Sequence, residues 1–460
     1  MEVNIIAGES MARKCILIML DGLGDRACPE LGHRTPLQAA TTPNLDRLAT
    51  QGANGLYHAA ALGQALPSEN AHFAIFGYKP DDFPGRGCLE TLGAGIELGP
   101  KQAAFLAHLV QLRVDSGGAL VLEEDQPRTS PEEARQLLAA VAHYRHGEID
   151  LHFQPTHGTS GVLVLSGPVS RFVTDTNTMA AGRPLPDLLP WREYADDPAA
   201  GQTAAALRSY LLRVHHTLAA HPVNQARREA GLGAVNGMVT QRGGQWQEVV
   251  DFRRHNGLRG LSIASGLVYW GLAAFLGLAV QADQDGDDPG DDLARRLTMA
   301  REALADFDFI HVHTKTPDQA AHRKDPAGKV RVIEALDRGL GRVLDDLLAD
   351  PELVLVVMAD HSTPSSGPLI HSGEPVPLLF AGPGVRRDRV NSFDELSVAG
   401  GALGLVRGTE LMLLVLNYLD RAKLIGTREA PEDQPFWPGD YAPLRLDQPP
   451  PPNSPQESLK

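Results

Sequence analysis

The chain is poor in the features that mark secreted or membrane-spanning proteins. It has three cysteines in 460 residues, Cys15, Cys28 and Cys88, and no two of them form a Cys-x-x-Cys pair. An odd number of scattered cysteines favours free thiols in a reducing compartment. No apolar run reaches the length of about 20 residues that crosses a bilayer, because Asp21 interrupts the run after Lys14. We therefore predict a cytoplasmic location and no membrane partner.

Two further features are missing. Residues 1–13 carry two acidic residues before the first basic one and have no apolar centre, so they do not resemble a signal peptide. Positive charge is scarce, since the formal net charge is -15 and Lys and Arg are scattered along the chain. Nucleic acid is therefore not an expected partner. The oligomeric state is left open.

The apolar residues that are present indicate a layered α/β fold. The chain is 43% hydrophobic and 22% charged, and a chain of 460 residues usually forms more than one lobe. Three continuous apolar runs, each followed by polar residues, are predicted to be buried parallel strands: residues 15–20, 307–312 and 353–358. Helical patterns lie between them, at residues 42–51, 291–306 and 329–350. We expect a mainly parallel sheet with helices on both faces.

The division into domains follows from changes in pattern. Residues 105–200 have looser periodicity and many Gly and Pro, which predicts an inserted α+β cap. Residues 12–104 and 201–427 would form the core, and residues 428–460 a Pro-rich, extended tail. In open α/β sheets, ligands bind beyond the carboxyl ends of the strands. Asp21, Asp318 and Asp360 follow predicted strands, so we expect these acidic side chains to converge.

Several residues near these strand ends have types that bind metals. Asp318 and His322 are four residues apart and share one face of a helical turn. Asp360 and His361 follow a strand directly, and His371 comes ten residues later. Each pattern is common when taken alone, and a polar helix start or a turn cap would explain it equally well.

Two other positions allow more than one interpretation. Ser68 opens a predicted helix, where it can be an ordinary N-cap or a nucleophile beside a phosphate. His311 and His313 alternate along a strand, so we expect at most one of them to face the site and interpret them as packed strand histidines.

Taken together, the motifs resemble the alkaline phosphatase superfamily, and more closely its cofactor-independent phosphoglycerate mutase branch of the archaeal type. The resemblance covers about residues 14–426. It rests on Leu20-Asp-Gly-Leu-Gly-Asp25, Thr35-Pro-Leu-Gln-Ala-Ala40, Thr42-Pro-Asn-Leu-Asp46, Ser68-Glu-Asn-Ala-His72, Gly77-Tyr78, Gly85-Arg-Gly-Cys-Leu-Glu90, Gly93-Ala-Gly-Ile96, Lys315 to His322, and the two histidine motifs at Asp360 and His371.

The resemblance implies a site with two divalent metal ions, Mn, Zn or Mg. One ion would be held by Asp318, His322 and His371, and the other by Asp21, Ser68, Asp360 and His361. Ser68 would be the nucleophile, and Lys315 would neutralise charge on the phosphoryl group. Substrate-binding roles are implied for Arg86, Arg128, Asn224 and Arg227. The implied substrate is a small phosphorylated metabolite, and the implied reaction interconverts 3- and 2-phosphoglycerate.

The chain departs from this family in the predicted cap. An arginine expected two residues before His108 is absent, and Glu123, Glu124 and Asp125 occupy a region where an arginine cluster is expected, with Arg128 as the remaining candidate. The resemblance therefore leaves an alternative open, a phosphomonoesterase or phosphonate hydrolase with the same core. A third possibility, a protein that keeps its metals only for structure, is harder to reconcile with a serine in the nucleophile position.

Overall fold

The computed structural model describes residues 13–446. The strands are β1 Lys14–Leu20, β2 Gly52–His58, β3 Gln102–Val114, β4 Leu120–Glu124, β5 His143–His146, β6 Ile149–His157, β7 Ser160–Ser166, β8 Gly237–Gln245, β9 Gly260–Ala264, β10 Ala279–Ala282, β11 Phe309–Thr314, β12 Leu353–Met358, β13 Val376–Ala381 and β14 Gly404–Arg407.

The helices are α1 Pro36–Ala39, α2 Pro43–Gln51, α3 Ser68–Ile75, α4 Arg86–Gly93, α5 Pro131–Ala139, α6 Pro198–Ala219, α7 Pro222–Glu229, α8 Phe252–Asn256, α9 Leu267–Phe275, α10 Pro289–Ala303, α11 Thr316–His322, α12 Pro326–Gly341, α13 Leu344–Leu348 and α14 Glu410–Tyr418. Within residues 13–446, none of these helices is both long and apolar enough to cross a membrane.

Eight strands form the large sheet, in the order β10-β9-β11-β1-β12-β13-β2-β14. Neighbouring strands run parallel except at β13, which is antiparallel to both β12 and β2. Residues 15–20 of β1 are all buried, and since successive side chains point to opposite faces, both faces of the sheet are covered. The predicted α/β class with a mainly parallel sheet is confirmed.

Three predicted elements differ in their bounds by more than one residue. The helix predicted at residues 291–306 is α10, Pro289–Ala303. The strand predicted at residues 307–312 is β11, which ends two residues later at Thr314. The helix predicted at residues 329–350 is divided into α12 and α13, because Val343, with φ near -120°, leaves the helical region between them.

A second, antiparallel sheet has the strand order β4-β3-β7-β6-β5, with β8 also paired to β3. Leu137 of α5 and Tyr210 of α6 pack in one apolar cluster with Phe105 and Phe153 of this sheet. The sheet begins at Gln102 and includes β8, so its strands come from both sides of the predicted 105–200 segment. The exact division into core and cap stays a prediction, and residues 447–460 of the predicted tail lie outside the described residues.

The two sheets are connected through a close contact between α4 and β8. A Cβ atom on Gly244 would lie 2.2 Å from the backbone nitrogen of Cys88, a distance that no side chain tolerates. The glycine therefore lets the backbone of the second sheet touch α4. Arg86 of α4 and Arg242 of β8 both contact the carboxylate of Glu69.

Candidate active site

The central strands β11, β1 and β12 end beside one another and place three carboxylates together. Asp21 follows β1, Asp318 lies in α11 after β11, and Asp360 follows β12. All three side chains are buried. The loop after β1 is held in place by Lys329, whose ammonium donates to Asp25 Oδ2 at 3.0 Å and to the carbonyl of Thr363 at 2.9 Å.

Asp318, His322 and His371 form one group whose ligand atoms lie within 4.8 Å of one another. His322 Nε2 is 3.2 Å and His371 Nε2 is 3.5 Å from Asp318 Oδ1. The Nδ1 atom of His371 lies 2.7 Å from the carbonyl oxygen of Leu66. A carbonyl can only accept, so Nδ1 carries the proton and Nε2 keeps its lone pair for a cation.

Asp21, Asp360 and His361 form a second such group. His361 Nε2 lies 3.1 Å from Asp360 Oδ2 and 3.7 Å from Asp21 Oδ1. The other oxygen of Asp360 accepts from the backbone nitrogens of Gly22 and His361 at 3.0 and 2.9 Å. These two bonds fix the carboxylate so that Oδ2 faces the histidine.

The donor atoms of both groups fit divalent cations. Asp21 Oδ1, Asp318 Oδ2 and Asp360 Oδ2 are buried and have no hydrogen-bond partner among residues 13–446. A buried carboxylate oxygen without a donor is costly, and a bound cation removes that cost. Carboxylate and imidazole ligands in these numbers suit transition metals such as zinc and manganese.

Ser68 is the first residue of α3 rather than its N-cap, which is Pro67. Its hydroxyl oxygen lies 2.9 Å from His361 Nε2 and 3.4 Å from Lys315 Nζ. The side chain is therefore directed towards the second group of potential ligands and not towards the helix backbone. The interpretation of Ser68 as an ordinary cap is wrong, since another residue occupies the cap position.

Lys315 lies between the two groups. Its ammonium is 3.0 Å from the hydroxyl of Tyr269, 3.3 Å from Asp318 Oδ2 and 3.8 Å from Asp21 Oδ2. Burial opposes the charged form, but Asp21, Tyr269 and Asp318 together outweigh burial and raise the pKa of Lys315 above its usual value. The amine is positively charged at neutral pH.

The potential in the site is strongly negative when no cation is bound. Burial lowers the pKa of His361, yet Asp360 and Asp21 outweigh burial and raise that pKa to about 9. For Asp318, burial acts to raise the pKa, but hydrogen bonds from His322 and His371, which their Nε2 atoms donate when these carry a proton in place of a cation, hold the pKa below its usual value. The groups thus attract positive charge, whether protons or metal ions.

Two arginines approach the residue next to Ser68. Glu69 is buried, and its carboxylate lies 2.7 Å from Arg242 and 3.6 Å from Arg86. Arg242 has a positive φ of 53°, an uncommon conformation held by a hydrogen bond from its backbone nitrogen to Asp175. Sequence reasoning singled out Arg86 and missed Arg242, because the contact joins β8 to α3 across the two sheets.

The strand histidines His311 and His313 are buried, as expected of packed side chains, but the expectation that they alternate between faces is wrong. His311 and His313 are two residues apart in β11, so they point to the same face, not to alternate faces. Both rings lie 5.3 Å from the ring of His72, measured between centroids. His313 Nε2 is 3.0 Å from Asp21 Oδ2, so His313 contacts a predicted metal ligand. The sequence did offer one indication for His72: it comes four residues after Ser68, and residues at this spacing share one face of a helix.

The second sheet together with α5, α6 and α7 forms a smaller lobe. The remaining predicted substrate-binding residues make contacts within this smaller lobe. Asn224 is buried, donates to the carbonyls of Leu218 and Val235, and accepts from the Val235 nitrogen. Arg227 donates to the carbonyl of Gly233 and to Glu133, and Arg128 is exposed. These hydrogen bonds give Asn224 and Arg227 a structural role, and a substrate contact for any of the three stays a prediction.

Comparison with known proteins identifies relatives along most of the chain. A profile of the Metalloenzyme superfamily matches residues 13–418. The 2,3-bisphosphoglycerate-independent phosphoglycerate mutase 2 of Methanocaldococcus jannaschii is 38% identical over 437 residues, which cover 93% of this chain and 98% of the relative. The corresponding enzyme of Methanopyrus kandleri is 36% identical over 424 residues, covering 90% and 99%.

Solved structures are consistent with these relatives. A protein from Pyrococcus horikoshii has a TM-score of 0.74 and 29% identity, with 90% of this chain and 100% of that chain covered. The cofactor-independent phosphoglycerate mutase from Thermoplasma acidophilum has a TM-score of 0.59 and 28% identity, with 88% and 100% covered. The chain therefore belongs to the Metalloenzyme superfamily and, within it, to the family of archaeal-type 2,3-bisphosphoglycerate-independent phosphoglycerate mutases.

Proposed function

We propose that this protein interconverts 3-phosphoglycerate and 2-phosphoglycerate through a phosphoserine at Ser68. The observation that carries the proposal is the position of the Ser68 hydroxyl, buried beside His361 and Lys315 and next to two groups of potential metal ligands. A site that served only to hold metals for structure would have no use for a serine in this place. The named activity of the relatives supports the same reaction.

We further propose that the first group, Asp318, His322 and His371, and the second group, Asp21, Asp360 and His361 together with Ser68, each hold one divalent cation, Mn, Zn or Mg. When bound, such cations supply positive charge that lowers the pKa of the Ser68 hydroxyl and offsets the phosphoryl charge. The unpartnered carboxylate oxygens of both groups support this assignment.

The reaction consists of two transfers of the phosphoryl group. In the first, the Ser68 hydroxyl loses its proton as its oxygen forms a bond to phosphorus, the ester bond to the glycerate oxygen breaks, and that leaving oxygen takes up one proton in exchange. In the second, the other hydroxyl of glycerate loses its proton and attacks the phosphorus of the phosphoserine, the bond between phosphorus and the Ser68 oxygen breaks, and that oxygen takes up one proton, which restores Ser68. The Lys315 ammonium is positioned to offset the negative charge that moves between these oxygens.

Charged side chains next to Ser68 are suited to hold the substrate. Arg86 and Arg242 contact Glu69 and keep about a third of their side chains exposed, at 30% each. Guanidinium groups bind phosphate and carboxylate through paired hydrogen bonds, so we assign these two residues to the substrate anion.

The free, buried thiols of Cys15, Cys28 and Cys88 support a reducing, cytoplasmic environment.

The test is to trap the phosphorylated enzyme. Protein incubated with 3-phosphoglycerate and quenched in acid should yield one phosphopeptide, which contains Ser68, and Ser68→Ala should abolish both the label and the formation of 2-phosphoglycerate. Ser130→Ala is the control, because Ser130 is the N-cap of α5 in the smaller lobe and should not be phosphorylated. Label on another residue, or full activity in Ser68→Ala, would contradict the proposal.

A further inference from the structure

Strand β8 contains a β-bulge at Arg242, close to the site of the proposed reaction. Its pairing with β3 shifts there by one residue, so that Arg242 and Gly243 together oppose Phe105. A bulge changes the direction of the side chains around it, and bulges are frequent next to active sites. The side chain directed here is that of Arg242, whose guanidinium lies 2.7 Å from the carboxylate of Glu69, the residue after Ser68.

The backbone of Arg242 has a conformation that most residues avoid. Its φ of 53° lies in the left-handed region, where a residue with a Cβ atom is strained and glycine is not. Strained conformations persist only where the surrounding structure imposes them, and they are frequent at functional sites. The presence of arginine rather than glycine at this position therefore points to a role for the guanidinium.

Close packing holds the strand in place after the bulge. A Cβ atom on Gly243 would lie 2.7 Å from the carbonyl oxygen of Arg171, and one on Gly244 would lie 2.2 Å from the backbone nitrogen of Cys88. Both glycines thus touch the backbone of neighbouring segments. The bulge has no room to relax in the direction of residues 243 and 244.

Asp175 holds the bulge at Arg242 itself. Asp175 Oδ1 accepts a hydrogen bond from the backbone nitrogen of Arg242 at 2.7 Å. The next residue, Thr176, ties this segment to β8, because its backbone nitrogen donates to the carbonyl of Thr240 at 2.8 Å and its hydroxyl accepts from the Thr240 nitrogen at 2.8 Å. Both threonines are buried. The extra residue of a bulge loses its partner on the neighbouring strand, and Asp175 supplies one.

We propose that Asp175 is a positioning residue for the reaction, which holds the bulge in the conformation that directs the Arg242 guanidinium towards the substrate anion beside Ser68. The inference rests on the proposed assignment of Arg242 to that anion. Paired hydrogen bonds from a guanidinium depend on its orientation, so a change in the backbone of Arg242 weakens them. Asp175 acts on the substrate only through Arg242, and its loss weakens substrate binding without slowing phosphoryl transfer at Ser68.

The first experiment measures steady-state kinetics with 3-phosphoglycerate. Asp175→Ala should raise KM at least about fivefold and leave kcat within about twofold, because the strained backbone of Arg242 relaxes when its hydrogen bond is lost. Asp175→Asn should keep the KM of the unmodified enzyme, because the amide oxygen accepts the same N–H. Asp115→Ala is the matched control, because Asp115 also accepts backbone N–H groups in this lobe, in the turn between β3 and β4. An unchanged KM in Asp175→Ala, or an equal rise in Asp175→Asn, would overturn the proposal.

The second experiment separates positioning from a general effect on the fold. In the Arg242→Ala background there is no guanidinium to direct, so Asp175→Ala should change KM by less than about twofold. Effects that multiply fully in the double variant would overturn the proposal.

A crystal structure of Asp175→Ala tests the same point without reference to the reaction. The Arg242 guanidinium should have left Glu69, and a guanidinium that stays in place would overturn the role of Asp175. That result would leave the phosphoserine proposal unaffected, whereas an unmodified protein that forms no 2-phosphoglycerate would contradict the proposed function. The two failures are therefore distinguishable.

Discussion

At the scale of single residues, the site is a set of buried carboxylates with one lysine among them. Asp21, Asp318 and Asp360 each have an oxygen without a hydrogen-bond partner in the described part of the chain, and Lys315 lies within 3.8 Å of the first two. The buried carboxylates cost free energy unless cations offset their charge. With cations bound, the site is suited to stabilise negative charge that moves between atoms during a reaction.

Replacement of Lys315 by methionine should slow phosphoryl transfer by roughly 100- to 1,000-fold, the range observed when one charge-stabilising donor is lost. The lysine ammonium is 3.4 Å from Ser68 Oγ, so the loss should appear in kcat rather than in KM. Steady-state kinetics with 3-phosphoglycerate measure both constants, and Lys101→Met, at an exposed position, is the control. A kcat within threefold of the unmodified enzyme would rule out the assigned role.

A second residue-scale prediction concerns Glu395. Burial raises the pKa of its carboxyl to about 7, against the hydrogen bond from the Thr35 hydroxyl. Unfolded glutamate titrates near pH 4.3, so between about pH 4.5 and 7 the folded state holds more protons than the unfolded state. The free energy of unfolding should therefore fall as pH rises through this window, and the full penalty applies above pH 7.

Glu395→Gln should remove this dependence and stabilise the protein at pH 8 by roughly 1 to 3 kcal/mol, because the amide needs no proton to stay neutral. Urea unfolding of the metal-saturated protein at pH 5 and pH 8 provides the measurement. Glu97→Gln, at an exposed position, is the control and should leave the pH dependence unchanged. Equal gains at both pH values would show that burial does not shift the Glu395 pKa.

At the scale of elements, each potential ligand group joins segments that are distant along the chain. His371 reaches Asp318 from a loop that precedes β13, and it is held there by the carbonyl of Leu66. In the smaller lobe, Asn224 at the start of α7 joins the end of α6 to Val235 through three hydrogen bonds. Because all three hydrogen bonds of the Asn224 side chain go to backbone groups, they hold α6, α7 and the segment at Val235 together.

Asn224→Ala should therefore lower the free energy of unfolding by roughly 2 to 3 kcal/mol, because the carbonyl and the backbone nitrogen of Val235 would lose their partner in a buried position, whereas the Leu218 carbonyl keeps the backbone N–H of His221. The KM for 3-phosphoglycerate should change by less than twofold. Denaturant unfolding and steady-state kinetics test both parts, with Gln225→Ala on the exposed side of the same helix as control. Unchanged stability with a tenfold higher KM would instead support the predicted substrate contact.

At the scale of the whole molecule, the proposed reaction needs both sheets, since the large sheet carries the residues proposed for phosphoryl transfer and the smaller sheet contributes Arg242, which contacts Glu69. The acidic residues that replace the expected arginines are engaged within the smaller lobe. Glu123 lies 3.7 Å from Arg113, and Asp125 lies 3.0 Å from His108. The lobe thus lacks free positive charge at these positions for a substrate carboxylate.

We expect the absence of these arginines to change which molecule, glycerate or water, accepts the phosphoryl group from the phosphoserine. A missing charged hydrogen bond weakens binding by about 1.5 to 3 kcal/mol, so two such losses reduce binding or rate by a factor of at least ~100. Mutase activity should be weak, and water should compete for the phosphoserine. Incubation with 3-phosphoglycerate, followed by quantification of 2-phosphoglycerate and free phosphate, gives the partition ratio. Efficient isomerisation with negligible phosphate release would show that other residues, such as Arg242, replace the missing cluster.

The amino-acid sequence by itself determined the class of fold and the family. Runs such as residues 15–20 are apolar at every position, and only a sheet covered on both faces buries all of them, which is what β1 does. The convergence of Asp21, Asp318 and Asp360 could also be predicted, because residues that follow parallel strands lie together at the edge formed by the carboxyl ends of those strands.

Only the tertiary structure decided the contacts between elements that are far apart along the chain. The meeting of Arg242 with Glu69, and of His72 with His313, depends on how β8 and β11 pack against α3, and no local pattern encodes that packing. The structural use of Asn224 also became visible only when its backbone partners were known. Periodicity reports which face of an element is buried, whereas the partner on that face is set by the packing of the whole chain.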